Sequence, residues 1–329
     1  MRYAAVIAGA LAASAGVGAQ APTGTLLVLN KAESTLAIVD PRSGTVLGRV
    51  PTGEGPHEVA VSADGRLALV TNYGAATPGA SLSVIDVAAR KEVRRVELGA
   101  LRRPHGIVVL AGGAGPLGGK AVFTAESARA IAAYDPAANR VDWQFETGQD
   151  VTHMVVASRD GRRLFTSNMG SNTIGILEAT GPGWRQRLVT VGPGPEGLDL
   201  SPDERELWTA HSRDGGVSVV DVAAGKVVHT IDAGTRRANR LKFTRDGDMA
   251  LVSDLDRGEV VFIDAKSRRV IKRLPVGRMA EGILIPPTGD RAYVAVTSDN
   301  RIAAIDLRTL DVVQTIATGE GPDGMAWGR

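Results

Sequence analysis

One motif recurs seven times along this chain and limits its fold more than any other feature. Each copy contains a Gly- or Pro-rich turn, a short apolar strand, a polar turn and a second strand with a polar end, as in "GPHEVAVSADGRLALVTNYG" and "VTHMVVASRDGRRLFTSNMG". Successive copies lie 42 to 48 residues apart. One position at the turn-to-strand boundary is polar in every copy: His57, His105, His153, Glu196, Asn239, Glu281 and Asp323.

The pattern inside each copy predicts four short β-strands. Apolar and polar residues alternate with period two, turn residues follow at close intervals, and no helical period competes with them. Units of this kind, repeated every 40 or so residues, are typical of β-propeller blades. We therefore expect an all-β protein, a seven-bladed β-propeller with four-stranded blades.

The two ends of the repeat predict how the ring closes. The segment "GTLLVLN" matches the second strand of a blade, and the final "GEGPDGMAWGR" matches a first strand. We expect the C-terminal strand to complete the N-terminal blade, which leaves no open sheet edge between the two ends.

Composition narrows the classes of function. Lys and Arg number 38 against 36 Asp and Glu, so a net charge of +2 gives no case for a nucleic-acid partner. Because the chain has no cysteine, disulfides, thiolate metal ligands, iron–sulfur clusters and covalently attached c-type heme are excluded. Only 4% of the residues are aromatic, so the core must consist mainly of Val, Ile, Leu and Ala.

The N-terminus is typical of a secretory signal peptide. A basic "MRY" precedes the apolar "AAVIAGALAASAGVGA" and then small residues suited to cleavage after Ala19 or Ala21. The apolar stretch is shorter than the roughly 20 residues that a membrane anchor needs. We expect residues 1–21 to be removed and residues 22–329 to form one periplasmic or secreted propeller domain, a monomer without a membrane span.

The repeats resemble the YVTN family of bacterial and archaeal β-propellers. The likeness is carried by "LALVTNYG", "SLSVIDVAARKEV" and "VSVVDVAAGKVVHTI", and it extends over essentially the whole mature chain. It implies the propeller fold. Relatives of this type include non-catalytic exported proteins, and more distant propellers include lactonases, metal-dependent lyases, and copper or heme enzymes, so the fold alone does not select a function.

Residues present in nearly every copy are predicted to serve the blade. A carboxylate ends the third strand of six copies, where it should cap the following turn through backbone N–H groups: Asp40, Asp86, Asp135, Asp221, Asp264 and Asp306. Glu178 takes this place in the remaining copy. The first turn carries Ser or Thr two residues before an acid, as in Ser62 and Asp64.

The position of His57 varies in chemistry from copy to copy, which points to function. Because the first strand of a propeller blade is innermost, these seven side chains should ring the mouth of the central channel. Three imidazoles with a nearby carboxylate suit zinc or another borderline divalent ion. We expect the metal ligands to be His57, His105, His153 and Asp323. The alternative is a polar, water-filled channel in which the histidines only hydrogen-bond.

A second ring is expected at the end of the second strand, matched by pattern to Asn30, Asn72, Glu126, Asn168, His211, Asp254 and Thr297. Four of these are predicted to hydrogen-bond to the metal ligands: Asn72, Glu126, Asn168 and Asp254. For proton transfer we expect Glu196, Glu281 and His211. For binding an anionic small substrate we expect Arg240, Arg103 and Arg237, since guanidinium groups pair with carboxylates.

Two functions remain open at this point, with a redox copper or heme protein as a third and less favoured one. The first is an exported metal-dependent hydrolase, similar to the lactonases, or a lyase, in which the ion polarises a carbonyl or activates water. The second is a non-catalytic propeller whose rim binds a ligand or a protein of the cell envelope. The histidine triplet favours the first hypothesis, and the family resemblance favours the second.

Overall fold

The computed structural model describes residues 24–181 and 183–328. Within them the chain forms seven four-stranded antiparallel sheets arranged in a ring, with two single-turn 3₁₀ helices at Glu126–Ala128 and Thr297–Asp299. The prediction of an all-β, seven-bladed propeller is confirmed. No helix among the described residues has the length and apolarity needed to cross a bilayer. The predicted signal peptide lies outside the described residues.

The blades follow the chain in order, each running from its inner to its outer strand. Blade 1 contains β28 (Pro322–Gly328), β1 (Thr25–Asn30), β2 (Thr35–Val39) and β3 (Val46–Pro51). Blade 2 contains β4 (Pro56–Val61), β5 (Leu67–Gly74), β6 (Pro78–Asp86) and β7 (Lys91–Glu97). Blade 3 contains β8 (Pro104–Val109), β9 (Ala121–Ala125), β10 (Ala130–Asp135) and β11 (Arg140–Glu146). Blade 4 contains β12 (Thr152–Ala157), β13 (Arg163–Asn168), β14 (Thr173–Thr180) and β15 (Gly183–Thr190).

The remaining blades repeat this arrangement. Blade 5 contains β16 (Pro195–Leu200), β17 (Glu206–His211), β18 (Gly216–Asp221) and β19 (Lys226–Asp232). Blade 6 contains β20 (Ala238–Phe243), β21 (Met249–Asp254), β22 (Glu259–Asp264) and β23 (Arg269–Pro275). Blade 7 contains β24 (Ala280–Leu284), β25 (Arg291–Val296), β26 (Arg301–Asp306) and β27 (Asp311–Ala317).

The ring closes through the two ends of the chain, as predicted. Strand β28 pairs antiparallel with β1, and Trp327 lies opposite Leu26 in that ladder. Each inner strand also contacts the inner strands of both neighbouring blades, β28 against β4 and β24 included. The pairing leaves no unpaired edge where the two ends meet.

The core lies between the blades, in layers of aliphatic side chains. Second and third strands are buried on both faces, whereas the outer strands alternate exposed and covered residues. The few aromatic residues fill single gaps, as where Trp208 of blade 5 packs edge-on against Phe243 of blade 6 at a ring-centroid distance of 5.0 Å. Burial of such apolar area, at about 25 cal/mol per Å², is the main force that holds blade to blade.

The predicted turn caps are confirmed. Asp306 accepts hydrogen bonds from the backbone N–H groups of Arg308 and Thr309, at 2.8 and 3.0 Å. In the first turn, Ser62 donates to Asp64 at 2.6 Å, and Asp64 accepts from the N–H of Arg66 at 3.1 Å. Equivalent bonds recur in the other blades, so these carboxylates serve the scaffold.

Hydroxyl groups near the end of the second strand join each blade to the next. Thr71 of blade 2 donates to the carbonyl of His105 in blade 3 at 2.8 Å, and Thr124 of blade 3 donates to that of His153 at 2.6 Å. Ser167 and Ser253 make the same bond, at 2.8 and 2.7 Å, to the carbonyls of the matching residues one blade further on. The backbone at four ring positions is therefore fixed by the preceding blade.

Glycine follows the ring residue in four of the seven inner strands: Gly106, Gly197, Gly282 and Gly324. At each of them the inner strand of the next blade passes very close. A Cβ on Gly324 would lie 2.1 Å from the carbonyl oxygen of His57, and one on Gly197 would lie 2.6 Å from that of Asn239. A side chain at these sites would force neighbouring blades apart.

We expect Gly324→Ala to destabilise the propeller by about 1–3 kcal/mol, because the added methyl group overpacks the contact with β4. Gly112→Ala is the control, since a Cβ there meets nothing within 4 Å, and it should change stability by less than about 0.5 kcal/mol. Denaturant unfolding of both variants measures the difference. Equal stabilities would show that the inner strands can separate without cost.

Candidate functional site

All seven ring side chains line one cavity at an end of the central channel. Its volume is about 300 Å³, and it is bordered by His57, His105, His153, Glu196, Asn239, Glu281 and Asp323. Lys31, Tyr73, Glu126, Arg237 and Arg240 complete its polar lining. The predicted convergence of the ring positions at one channel mouth is confirmed.

The three histidines form a continuous arc, since they come from consecutive blades. The ring centroids of His57 and His105 are 4.7 Å apart, and those of His105 and His153 are 3.9 Å apart and stacked. Burial, together with the charges of the other two imidazoles, holds the pKa of His105 well below its ordinary value. This ring is therefore a neutral imidazole at neutral pH, the form that binds metals.

A hydrogen-bonded chain orients the third histidine. Tyr73 donates its hydroxyl to Oε2 of Glu126 at 2.6 Å, and Oε1 of Glu126 lies 2.6 Å from Nδ1 of His153. Burial alone would raise the pKa of Glu126, but the hydrogen bonds from His153 and Tyr73 outweigh it and lower the pKa. Because His153 directs Nδ1–H at the carboxylate of Glu126, its Nε2 carries the lone pair that can bind a metal ion. Many metal-ligating histidines are arranged in this way.

One group of described residues has the spacing of a metal site. His105, Glu126 and His153 each offer a ligand atom, and these atoms all lie within 4.8 Å of one another. The Nδ1 atom of His105 is also buried and has no hydrogen-bond partner among the described residues. A borderline divalent ion fits the two imidazole nitrogens, and Glu126, whose oxygens are both hydrogen-bonded, orients His153 beside it.

The opposite arc holds two carboxylates and a lysine. Nζ of Lys31 lies 2.7 Å from Oε2 of Glu281 and 3.1 Å from Oδ2 of Asp323. Burial and the charge of Asp323 raise the pKa of Glu281 to about 7. Burial would raise the pKa of Asp323 as well, but Lys31, His57 and Arg240 hold it far below its ordinary value.

The placement of Asp323 argues against its predicted role as a metal ligand. Its Oδ2 is 3.0 Å from Nδ1 of His57, out of line for a hydrogen bond, and its Oδ1 is 3.9 Å from Arg240. With Lys31 also on Oδ2, both oxygens already face cations. Asp323 is the centre of an ion-pair network.

Between the two arcs lies a second acidic group. Asn239 donates its amide N–H to Oε1 of Glu196. The other carboxylate oxygen, Oε2 of Glu196, and Oδ1 of Asn239 are buried and have no partner among the described residues. Two hydrogen-bond acceptors therefore lie side by side without a donor.

Side chains from three different blades meet across the central channel next to the cavity. Arg240 pairs with Glu58 on the far side of the ring, and its second terminal nitrogen is 3.2 Å from the sulfur of Met154. Glu58, Met154 and Arg240 each directly follow a ring position, in the three blades where that next residue is not glycine. The predicted use of Arg240 as a substrate clamp is weakened, because its guanidinium group is already held by Glu58.

The second ring as predicted from the sequence mixes two registers. The residue before each ring position pairs with Asn30, Asn72, Asn168, His211 and Asp254 in five blades, but with Ala125 in blade 3 and Val296 in blade 7. Glu126 and Thr297 are therefore one residue further along than their supposed equivalents. Because successive strand residues face opposite sides, Glu126 points to the cavity, whereas Asn72, Asn168, His211 and Asp254 do not.

The residues that face away bond to loops between blades or to neighbours in their own blade. Asn72 accepts from the N–H of Gly53 at 3.0 Å, and Asp254 accepts from the N–H groups of Arg236 and Arg237 at 2.7 and 3.2 Å. Asn168 donates to Thr173 at 3.1 Å. The prediction that Asn72, Asn168 and Asp254 support metal ligands is therefore wrong in its geometry, and only Glu126 touches a ring histidine.

His211 does not reach the cavity either. It is fully buried, its Nδ1 lies 3.0 Å from Asp214, and a Cβ on Gly192 would collide with its ring. Burial lowers its pKa, with Asp214 acting in the opposite direction. Its predicted role in proton transfer at the channel mouth is not compatible with this position.

The remaining arginines lie at the rim. Arg237 is exposed and borders the cavity, whereas Arg103 stacks its guanidinium on Tyr73 at 4.7 Å and does not border the cavity. Lys31 and Tyr73 were missed by the sequence reasoning. Both directly follow the second-ring position, as Met169 and Leu255 do, so the period-two alternation of the strand could have identified them.

A polar, histidine-bearing channel mouth on a seven-bladed ring defines a propeller with a candidate small-molecule or metal site. The chain belongs to the cytochrome D1 heme domain family, whose model matches residues 121–292. The predicted resemblance to YVTN-type propellers is confirmed by the relatives and the fold together.

Individual relatives are distant. The chain is 23% identical over 177 residues to "Uncharacterized protein YncE" of Salmonella typhimurium, a match over 52% of this chain and 50% of that protein. It is 30% identical over 128 residues to dihydro-heme d1 dehydrogenase of Pseudomonas aeruginosa, over 36% of this chain and 25% of the relative. The matches thus span half or less of these relatives. The solved structure of Kuenenia stuttgartiensis hydrazine synthase has 18% identity, a TM-score of 0.74, and coverage of 86% of this chain and 92% of that one.

We expect Arg240→Met to destabilise the protein by about 3–5 kcal/mol, because Glu58 would be left buried without its partner. The double variant Arg240→Met with Glu58→Met should regain most of that stability. A thermodynamic cycle from denaturant unfolding measures the coupling between the two residues. A single variant as stable as the wild type would mean that Arg240 is free for a ligand.

We expect the carboxyl group of Glu281 to titrate near pH 7, which carbon-13 NMR of labelled glutamate can follow. Lys31→Met should move the midpoint upward, because the lysine cation favours the charged carboxylate. Glu281→Gln identifies the resonance. An unchanged or lower midpoint in Lys31→Met contradicts the assignment.

Proposed function

We propose that this protein is an exported propeller that holds a divalent metal ion of the zinc type at its channel mouth and acts there on a small molecule as a hydrolase or lyase. The observation that carries the proposal is the histidine arc. His105 and His153, with Glu126, have their ligand atoms within 4.8 Å. His105 is neutral and has an unpaired buried nitrogen.

In this proposal His105 and His153 hold the ion and His57 borders the same space. A bound ion of this kind supplies Lewis acidity, which polarises a carbonyl or lowers the pKa of water. Glu126 keeps the imidazole of His153 in the tautomer that accepts at Nε2, and Tyr73 keeps Glu126 in place. The rest of the mouth stays open to a substrate.

Glu281 is the residue best suited to move a proton. A pKa of about 7 allows it to exist in both forms at neutral pH, as an acid–base group requires. Lys31 and Asp323 hold it at the cavity wall. Arg237, at the rim, is the arginine available to a substrate carboxylate.

The N-terminal leader pattern supports export to the periplasm or the medium, and the balanced charge supports a small-molecule ligand over nucleic acid. We keep a monomer, with residues 22–329 as a single domain, as the working expectation. If the protein holds no metal ion, the alternative is a non-catalytic binding module of the cell envelope.

A second candidate is the binding of a heme-type tetrapyrrole, which the family name and the relative that acts on dihydro-heme d1 favour. The side chains at the channel mouth include the types of ligand that such a group requires. The imidazoles of His57, His105 and His153 would be the residues to ligate the iron of such a group, and Arg237 could pair with a carboxylate of the macrocycle. The iron would supply redox chemistry, for which the chain itself offers only the binding residues.

We expect the purified mature protein to retain one equivalent of zinc, measured by plasma mass spectrometry after dialysis. His105→Ala should abolish this stoichiometry, and Glu126→Gln should weaken the affinity roughly 10- to 100-fold, because it disturbs the orientation of His153. His229→Ala is the matched control, since His229 lies on the exposed outer strand β19 and should have no effect.

The same samples separate the alternatives. Protein that binds no metal but gives a Soret band on addition of heme, lost in His105→Ala, supports the tetrapyrrole candidate. Protein that binds neither, with its fold unchanged by chelator, leaves the non-catalytic module. Equal metal content in the His105→Ala and His229→Ala variants contradicts the proposed site.

A further inference from the structure

The segment of the mouth between the two arcs contains Glu196, the carboxylate of the cavity lining that forms no ion pair among the described residues. Lys31 is committed to Glu281 and Asp323, and Arg240 is committed to Glu58 outside the lining. Glu126 is committed to His153 and Tyr73. Glu196 has only the amide of Asn239.

This carboxylate is nine-tenths buried or more. Glu196 is 6% exposed and Asn239 is 9% exposed. A carboxylate removed from water is costly unless it is paired. The charge of Arg240 acts on Glu196 from a distance, but that guanidinium is paired with Glu58, so within the described part of the chain Glu196 forms no ion pair of its own.

The orphan atoms define what would complete it. Asn239 uses its N–H on Oε1 of Glu196, so that its own Oδ1 and the Oε2 of Glu196 both remain as acceptors. The two strands that carry these residues are in close contact because Gly197 has no side chain. Two adjacent acceptors, one of them charged, call for a cationic hydrogen-bond donor.

We propose that Glu196 and Asn239 form the recognition site for a primary ammonium group of the small-molecule ligand. An ammonium group has three N–H donors and no acceptor, so it satisfies both orphan oxygens and neutralises the carboxylate. A hard metal ion fits less well, because calcium or magnesium needs six or more oxygen ligands and these residues offer two. This inference deepens the proposed function, on whose site it rests, by naming an amine as the substrate class.

The position of Glu196 and Asn239 suits an amine whose other end lies elsewhere in the same cavity. Glu196 lies in the blade next to His153, and Asn239 lies between Glu196 and Glu281 around the ring. An amine held here would extend its remaining groups across the same cavity toward the histidine arc or toward Glu281. The proposed substrate then carries at least one positive charge in addition to a carboxylate that Arg237 can bind.

The test uses n-propylammonium as the probe, with propan-1-ol and propionate as uncharged and anionic counterparts. Binding to the mature protein is followed by saturation-transfer NMR and calorimetry at constant ionic strength, on both chelator-treated and zinc-loaded samples. We expect millimolar binding of the ammonium ion in both samples and at least about tenfold weaker binding of the counterparts, the size of one charged hydrogen bond.

Variants of the pair make the assignment specific. Glu196→Gln should weaken ammonium binding roughly 10- to 100-fold, and Glu196→Asp, which keeps the charge, should recover most of it. Glu146→Gln is the matched control on the exposed strand β11, with no expected effect. Thermal unfolding checks that each variant is folded.

The outcomes separate this inference from the metal proposal. Ammonium binding that persists in protein without any metal supports the amine site even where the metal site fails. Loss of zinc together with ammonium in Glu196→Gln would make Glu196 a metal ligand and overturn the inference. Equal affinity for the three probes, or none detectable for propylammonium, overturns it as well and assigns the orphan oxygens to water.

Discussion

The contact between successive inner strands is the constraint on which the rest of the molecule depends. The hydroxyl of one blade holds the backbone of the next at the ring position, as Thr71 does for His105. Glycines such as Gly324 bring the same strands within van der Waals distance. Seven side chains from residues far apart in sequence are thereby placed around one opening, in a chain without cysteine.

The ring is chemically divided because each blade contributes its own residue to a shared frame. Three neighbouring blades supply imidazoles, and the next four supply acids or an amide. Imidazole nitrogens therefore gather on one wall, while on the other Lys31 stabilises a pair of carboxylates. Repetition supplies the geometry of the site, and departures from repetition supply its chemistry.

The fold and the ring could be read from the sequence because both are periodic. The alternation of apolar residues identifies the strands, and the matched positions identify the seven side chains that meet. The contacts among them could not be read in this way. Glu126 aligns by residue type with Asn72, yet an extra residue before it turns it toward His153, and only the strand pairing reveals that shift. The pairing of Arg240 with Glu58 joins blades 2 and 6, which no local pattern records.

Arg240, Glu58 and Met154, from blades 6, 2 and 4, meet across the central channel next to the ring of seven side chains. They narrow the passage from the mouth into the rest of the channel, so the rim is the doorway that a guest at the mouth would use. A macromolecule that settled over that doorway would act as a lid, and its own on and off rates would then set the turnover of whatever lay beneath.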